Sequence, residues 1–122
     1  MNFEIMTKRS SSKIRIGITV GDLNGIGPEL VLKLFSDNRI CELCQPVALG
    51  SKQLFQSLAK TFHFNDLNIS YVNSIEDVKG KSPSVLQVWD EAVEVEFGKE
   101  SYEAGSYALK SLEAAIELLK SE

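Results

Sequence analysis

The stretch Ile14-Arg15-Ile16-Gly17-Ile18-Thr19-Val20-Gly21-Asp22-Leu23-Asn24-Gly25-Ile26-Gly27-Pro28-Glu29-Leu30 decides how the rest of the chain is organised. Ile14, Ile16, Ile18 and Val20 are β-branched apolar residues that read as a buried strand, and Gly17 between them leaves room for close backbone approach. Gly21, Gly25 and Gly27 permit a tight turn without Cβ clashes. Pro28 suits the first turn of a helix, where its missing N–H would have no partner, and Glu29 complements the positive helix end. Strand, glycine-rich turn and helix start place free backbone N–H groups at the edge of a sheet, where open α/β sheets bind their ligands.

The turn fits neither of two common phosphate-binding patterns. Its G-x-x-x-G-x-G spacing differs from the dinucleotide G-x-G-x-x-G, and no Gly-Lys-Ser/Thr follows as in a P-loop. Pro28 also removes a donor that a phosphate would use. The residues alone leave two readings open: a turn that serves packing, or a loop that borders a cofactor.

Working outward, a helix over 28–36 sets Leu30, Val31, Leu34 and Phe35 on one face and stops at Asp37-Asn38. Pro46-Val47-Ala48-Leu49 reads as a strand that begins at the proline, and Gly50-Ser51 caps a helix over 52–60 with Leu54, Phe55, Leu58 and Ala59 inward. This alternation of strand and helix favours a parallel sheet. Further strands are expected over 68–72 and around Val85, Leu86, Val88 and Trp89, with a short helical turn at 74–77 and a break at 79–83. Val93, Val95 and Phe97 alternate with Glu94 and Glu96, which predicts another strand with one wet face. A closing helix from Ser101 carries Ala104, Ala108, Leu112, Ala115, Ile116 and Leu119 on its expected inward side. Gly105 in that helix costs ~1 kcal/mol relative to Ala, which predicts that something packs closely against it.

The run Ile18-Thr19-Val20-Gly21-Asp22-Leu23-Asn24-Gly25-Ile26-Gly27-Pro28-Glu29 resembles the amino-terminal signature of the 4-hydroxythreonine-4-phosphate dehydrogenases, which usually carry Pro-Ala where this chain has Leu23-Asn24. Phe97-Gly98-Lys99-Glu100-Ser101-Tyr102-Glu103-Ala104-Gly105-Ser106-Tyr107-Ala108 is similar to the Gly-Lys and Ser-x-x-x-Gly pattern that opens a later helix in that family. The resemblance implies a three-layer α/β/α fold with a mostly parallel sheet, here an incomplete amino-terminal part of an isocitrate/isopropylmalate-dehydrogenase-like fold. On this reading residues 1–13 form a flexible tail and residues 14–122 an amino-terminal portion of a larger dehydrogenase.

Composition agrees with a small-molecule enzyme of that kind. The 122 residues suit one domain with a modest core. The net charge is −4 with both signs interspersed, giving no basic stripe for nucleic acid and no polybasic segment for a membrane. No apolar run reaches the ~20 residues of a bilayer span. The Ser-rich basic start lacks the apolar stretch of a secretory signal, so the expected location is cytoplasmic. Cys41 and Cys44 form a lone Cys-x-x-Cys with His63 as the only histidine, too few ligands for a structural zinc site, and reduced thiols are the default.

What the resemblance implies chemically is an NAD-dependent oxidation and decarboxylation of 4-phosphooxy-L-threonine to 3-amino-2-oxopropyl phosphate in pyridoxal 5′-phosphate (vitamin B6) biosynthesis, by a homodimeric enzyme with a divalent metal. Histidines hold that metal in the family, in motifs downstream of this stretch. No catalytic residue and no metal ligand is therefore assigned here, and the chain alone is expected to be inactive. Gly25, Ile26 and Gly27 are the candidate cofactor contacts, as the matching loop lies beside the nicotinamide cofactor in the wider superfamily. Asp22 and Asn24 are candidates for orienting the loop through short-range hydrogen bonds. Two alternatives stand beside this reading: a dehydrogenase of a related four-carbon phosphorylated acid (4-phosphoerythronate or D-threonate 4-phosphate), and a stand-alone non-catalytic α/β domain.

Overall fold

The computed structural model describes residues 14–37, 39–64, 66–78, 80 and 82–120. The expected tail at 1–13, and Asn38, Lys79 and Lys81 of the expected breaks, lie outside the described residues. In chain order the elements are β1 (Arg15–Thr19), α1 (Gly27–Phe35), α2 (Ile40–Leu43), β2 (Gln45–Gly50), α3 (Lys52–Thr61), β3 (Ser70–Val72), a 3₁₀ turn (Ile75–Asp77), β4 (Ser84–Gln87) and α4 (Tyr102–Lys120). All described strand pairings are parallel, in the order β1-β2-β4-β3.

β2 is the centre of this sheet, and its composition explains why. Every residue from Gln45 to Gly50 is buried, as expected of a parallel strand covered on both faces. Ala48 joins Leu32, Phe35, Leu54, Phe55 and Leu58 in one cluster, whereas Val47 and Leu49 join Leu86 and Val78 in a second cluster against Ala114, Ala115 and Leu118. The period of two therefore sends alternate side chains to two layers, with α1 and α3 on one face and α4 on the other. Pro46 is the second residue of β2 rather than the first, yet no ladder bond is lost. Gln45 N–H donates to Ile14 O at 2.8 Å, so the next N–H position points to the opposite side, where the β4 pairing begins only at Val47 and Ser84.

Local signals set the helix ends. Ser51 caps α3, its hydroxyl accepting from Leu54 N–H at 3.1 Å. The other end stops at His63, whose φ of 62° lets Phe64 N–H reach Ala59 O at 2.8 Å and its own N–H reach Lys60 O at 3.4 Å. That pair of bonds is a Schellman stop, and it gives His63 an exposed structural position.

Several expectations are corrected. Among the described residues β1 is the edge strand of the sheet rather than a buried one, and Ile16 is exposed. In α1 the buried residues are Pro28, Val31, Leu32 and Phe35, while Leu30 and Leu34 are exposed; the helix is turned so that Leu32 meets the core. Cys41 lies half-buried within the short α2, and Cys44, just after it, is buried. β3 is two residues shorter than expected, and β4 ends at Gln87, before Val88 and Trp89. Residues 93–97 form no strand, because the backbone there bonds to the glycine-rich loop instead of to a neighbouring strand. On α4 the buried positions are Ala104, Tyr107 and Ser111, whereas Leu109, Leu112, Ile116 and Leu119 are exposed. Nothing lies within 4 Å of where a Cβ would stand at Gly105, so the close packing expected there is absent among the described residues.

Candidate functional site

The glycine-rich loop leaves β1 at its carboxyl end and enters α1. Val20 and Leu23 are fully buried and anchor it in the first core cluster. Gly21 takes a φ of 69°, a left-handed conformation that a side chain would strain. Asp22 closes the turn twice: its Oδ1 accepts from Asn24 N–H at 2.9 Å and its carbonyl accepts from Gly25 N–H at 3.0 Å. Gly27 is required for a different reason, since a Cβ there would overlap the Val20 carbonyl oxygen. Its bareness thus serves close packing of helix against strand. At Gly25 the nearest atom to a Cβ would be Asp22 O at 3.4 Å, an ordinary contact, and Ile26 is 70% exposed.

Asn24 is the residue that organises the site. It is 5% exposed, and its carboxamide donates to Lys99 O at 3.0 Å and Ser101 Oγ at 3.3 Å while its Oδ1 accepts from Glu96 N–H at 2.8 Å. Its carbonyl accepts from Gly98 N–H at 2.9 Å, with Gly98 at a φ of 77°. Ser101 Oγ in turn accepts from Ala104 N–H at 3.0 Å and caps α4. The two segments singled out by the sequence, 18–29 and 97–108, are therefore one unit in space, joined through the side chain and the backbone carbonyl of Asn24. Asp22 bonds within the loop, at short range, whereas the Asn24 side chain bonds out of the loop to residues 96–101.

A second tie was not foreseen. Ser111, fully buried on α4, accepts from Val20 N–H at 3.2 Å and donates to Leu49 O at 2.7 Å, clamping the carboxyl ends of β1 and β2. The available signal was a small hydroxyl amid the inward positions Ala104, Tyr107, Ala114 and Leu118. Trp89 packs against Tyr107 of α4 with ring centroids 4.8 Å apart and the rings tilted by 48°.

The displaced titrations lie elsewhere. Asp37 is lowered to about 2, chiefly by the hydrogen bond from the Arg39 side chain. Glu76 is lowered chiefly by its hydrogen bond from the Ser74 hydroxyl, and burial raises Tyr71. Among the described residues no cluster of three or more His, Cys, Asp or Glu is placed to hold a metal ion, and no helix is long and apolar enough to cross a membrane. Ile26 is exposed at the tip of the loop, while Gly25 is half-buried with its N–H held by Asp22 O.

Comparison with known proteins decides the family. The family model described as "Pyridoxal phosphate biosynthetic protein PdxA" matches residues 42–122. The chain belongs to this family. It is 44% identical over 106 residues to a 4-hydroxythreonine-4-phosphate dehydrogenase of Bacteroides thetaiotaomicron, covering 87% of this chain and 29% of that protein. It is 29% identical over 111 residues to a D-threonate 4-phosphate dehydrogenase of Cupriavidus necator, covering 88% of this chain and 32% of that protein. The crystal structure of a 4-hydroxythreonine-4-phosphate dehydrogenase from Burkholderia phymatum shares the fold with a TM-score of 0.75 at 22% identity, over 89% of this chain and 33% of that one. The chain spans about a third of the length of the curated relatives it matches. The three-layer α/β/α reading and the family resemblance are thereby both established.

Proposed function

We propose that this chain is the amino-terminal portion of an NAD-dependent dehydrogenase that oxidises and decarboxylates 4-phosphooxy-L-threonine to 3-amino-2-oxopropyl phosphate on the route to pyridoxal 5′-phosphate. The observation that supports the proposal is membership of this family together with a 44% identical relative named 4-hydroxythreonine-4-phosphate dehydrogenase. The role assigned to these residues is to bind and orient. Ile26 supplies an apolar face, Gly25 lets the backbone approach the ligand closely, and Gly27 holds the helix start against Val20 so that the loop keeps its shape. Asp22 and Asn24 fix the loop before any ligand arrives, which lowers the ordering cost of binding. NAD, when bound, takes the hydride from the carbon whose hydroxyl becomes a ketone.

No catalytic step is assigned to this chain; among its described residues no group of three or more His, Cys, Asp or Glu is placed to hold a metal ion. On this reading the metal ligands and phosphate-binding groups lie in the rest of the enzyme, and these residues do not turn over substrate by themselves. The complete enzyme is a cytoplasmic homodimer on this reading.

A second reading keeps the loop and changes the substrate to D-threonate 4-phosphate, favoured by the Cupriavidus necator relative at 29% identity. The higher identity of the Bacteroides relative places it second. A stand-alone binding domain is disfavoured by the apolar surface of β1 and α4, which an isolated soluble domain seldom leaves open. The test is a chimera in which residues 14–120 replace the matched third of the Bacteroides relative. NAD reduction by the chimera tests whether this portion supports turnover, and the substrates are ranked with the complete protein that contains these residues, because the groups that choose among 4-phosphooxy-L-threonine, D-threonate 4-phosphate and 4-phosphoerythronate lie outside this chain on this reading. Turnover of the first supports the proposal, and turnover of D-threonate 4-phosphate alone replaces it with the second reading.

A further inference from the structure

Cys41 and Cys44 take no part in the function proposed above, and the fold gives them a geometry that their spacing alone does not. Both lie in one helical turn: α2 runs from Ile40 to Leu43 with Cys44 as its C-cap, and Cys44 N–H donates to Ile40 O at 3.1 Å. Three residues apart on an α-helix, two Cα atoms stand about 5 Å from each other, inside the range of roughly 4.4–6.8 Å that a disulfide spans. The Cys44 sulfur is turned back over this turn, 3.7 Å from Ile40 O, and that carbonyl belongs to the peptide whose nitrogen is Cys41's own. Cys44 has also left the helix, at a φ of −155° and a ψ of 175°, so its side chain escapes the χ1 limits that a helix imposes. The two thiols differ in access: Cys41 is half-buried and lines a surface cleft with Asp37, Asn68 and Ser82, whereas Cys44 is 5% exposed. Neither joins either core cluster, so bringing the sulfurs together displaces no core side chain.

We propose that Cys41 and Cys44 form a redox-responsive dithiol site, which a small-molecule disulfide converts to an intramolecular disulfide in the folded protein. The Cys41 thiolate, the more accessible of the two, attacks one sulfur of the reagent, releasing one thiolate and leaving Cys41 in a mixed disulfide. The Cys44 thiolate then attacks the Cys41 sulfur, forming the Cys41–Cys44 bond and releasing the second thiolate. Each cysteine gives up one proton, and the two electrons reduce the reagent to two thiols. Burial of Cys44 does not obstruct this order, because the sulfur it attacks is brought to it on the same helical turn. Gln45, next in the chain, donates its N–H to Ile14 O at 2.8 Å and its carboxamide to Ser82 O at 2.9 Å. The closed form therefore braces the turn that leads into β2, at the opposite end of that strand from Gly50 and the glycine-rich loop. The proposal is independent of which cofactor or substrate the enzyme uses.

The experiment treats the complete, folded protein that contains these residues with oxidised glutathione, quenches with acid, and reads the tryptic peptide Ile40–Lys52 by mass spectrometry. That peptide holds both cysteines and no lysine or arginine before Lys52. The expected product is lighter than the starting peptide by two hydrogen atoms, resists iodoacetamide and is restored by dithiothreitol, with the circular dichroism of the protein unchanged. Cys44→Ser should stop the reaction at the mixed disulfide of glutathione with Cys41. Cys41→Ser should slow modification of Cys44 by about 10-fold or more, because the accessible attacking thiol is gone. The proposal is overturned if native wild-type protein stops at the Cys41 mixed disulfide, remains fully open to iodoacetamide, or pairs its cysteines only between molecules. It is equally overturned if the bond forms only in urea, or if Cys41→Ser reacts as fast as wild type. The wild-type arms decide the matter even where a serine variant fails to fold.

Discussion

Replacing Asn24 with alanine removes the side chain that joins the two signature segments, and the cost can be worked from its partners. The carboxamide makes three hydrogen bonds, to Lys99 O, Ser101 Oγ and Glu96 N–H, at 3.0, 3.3 and 2.8 Å. Each contributes about 0.5–1.5 kcal/mol net, and a buried partner left alone costs more. Glu96, Lys99 and Ser101 are exposed residues, so water can replace part of what is lost. The expected destabilisation is about 2 kcal/mol, equal to roughly a 30-fold shift in the unfolding equilibrium. Urea unfolding followed by the fluorescence of the single tryptophan, Trp89, measures it directly. Asn24→Asp keeps the acceptor for Glu96 N–H but loses both donors, so it should fall between wild type and Asn24→Ala. Amide exchange at Glu96 should accelerate in Asn24→Ala, while Gly98, bonded to the Asn24 backbone carbonyl, should be affected less. A change below 0.5 kcal/mol with unaltered exchange at Glu96 would refute the joining role.

The loop glycines should separate by mechanism: Gly27→Ala should destabilise by at least 2 kcal/mol through its overlap with the Val20 carbonyl, whereas Gly25→Ala should stay within about 0.5 kcal/mol, both by urea unfolding. Ser111→Ala leaves Val20 N–H and Leu49 O without their buried partner and should cost about 1–3 kcal/mol in the same assay, with faster exchange at Val20. Asp37 has a depressed folded pKa, so the stability it contributes is complete above its ordinary value of 3.8 and is lost as pH falls toward 2. Arg39→Ala should return the Asp37 titration toward 3.8 in an NMR pH series, and an unmoved midpoint would contradict the assigned cause.

Where the sequence was read correctly, the signals are local. Ser51 announces α3 because a capping hydroxyl needs only the next three residues, and the Asp22 turn closes within three residues of its own position. The misreadings have physical causes. The alternation of Val93 and Val95 with Glu94 and Glu96 reports one-sided burial, which is real, since both valines pack against the core. Alternation does not say where the backbone donors go, and here Glu96 and Gly98 give theirs to Asn24. On α4 the apolar residues form two stripes, and periodicity alone cannot tell which of them meets the sheet of this chain. Asn24 was legible as a turn residue, but its partners lie more than 70 positions away, beyond any local pattern.

The central claim is that the exposed Ile26 and its flanking glycines form part of the nicotinamide-cofactor contact. It is tested most directly by NAD titration of the chimera carrying Ile26→Asp, a substitution at a position 70% exposed and so harmless to the fold. The account predicts a KM for NAD raised by about tenfold or more, with the unfolding midpoint unchanged and the KM for the phosphorylated substrate little altered. An unchanged KM for NAD in a folded, active protein would contradict it.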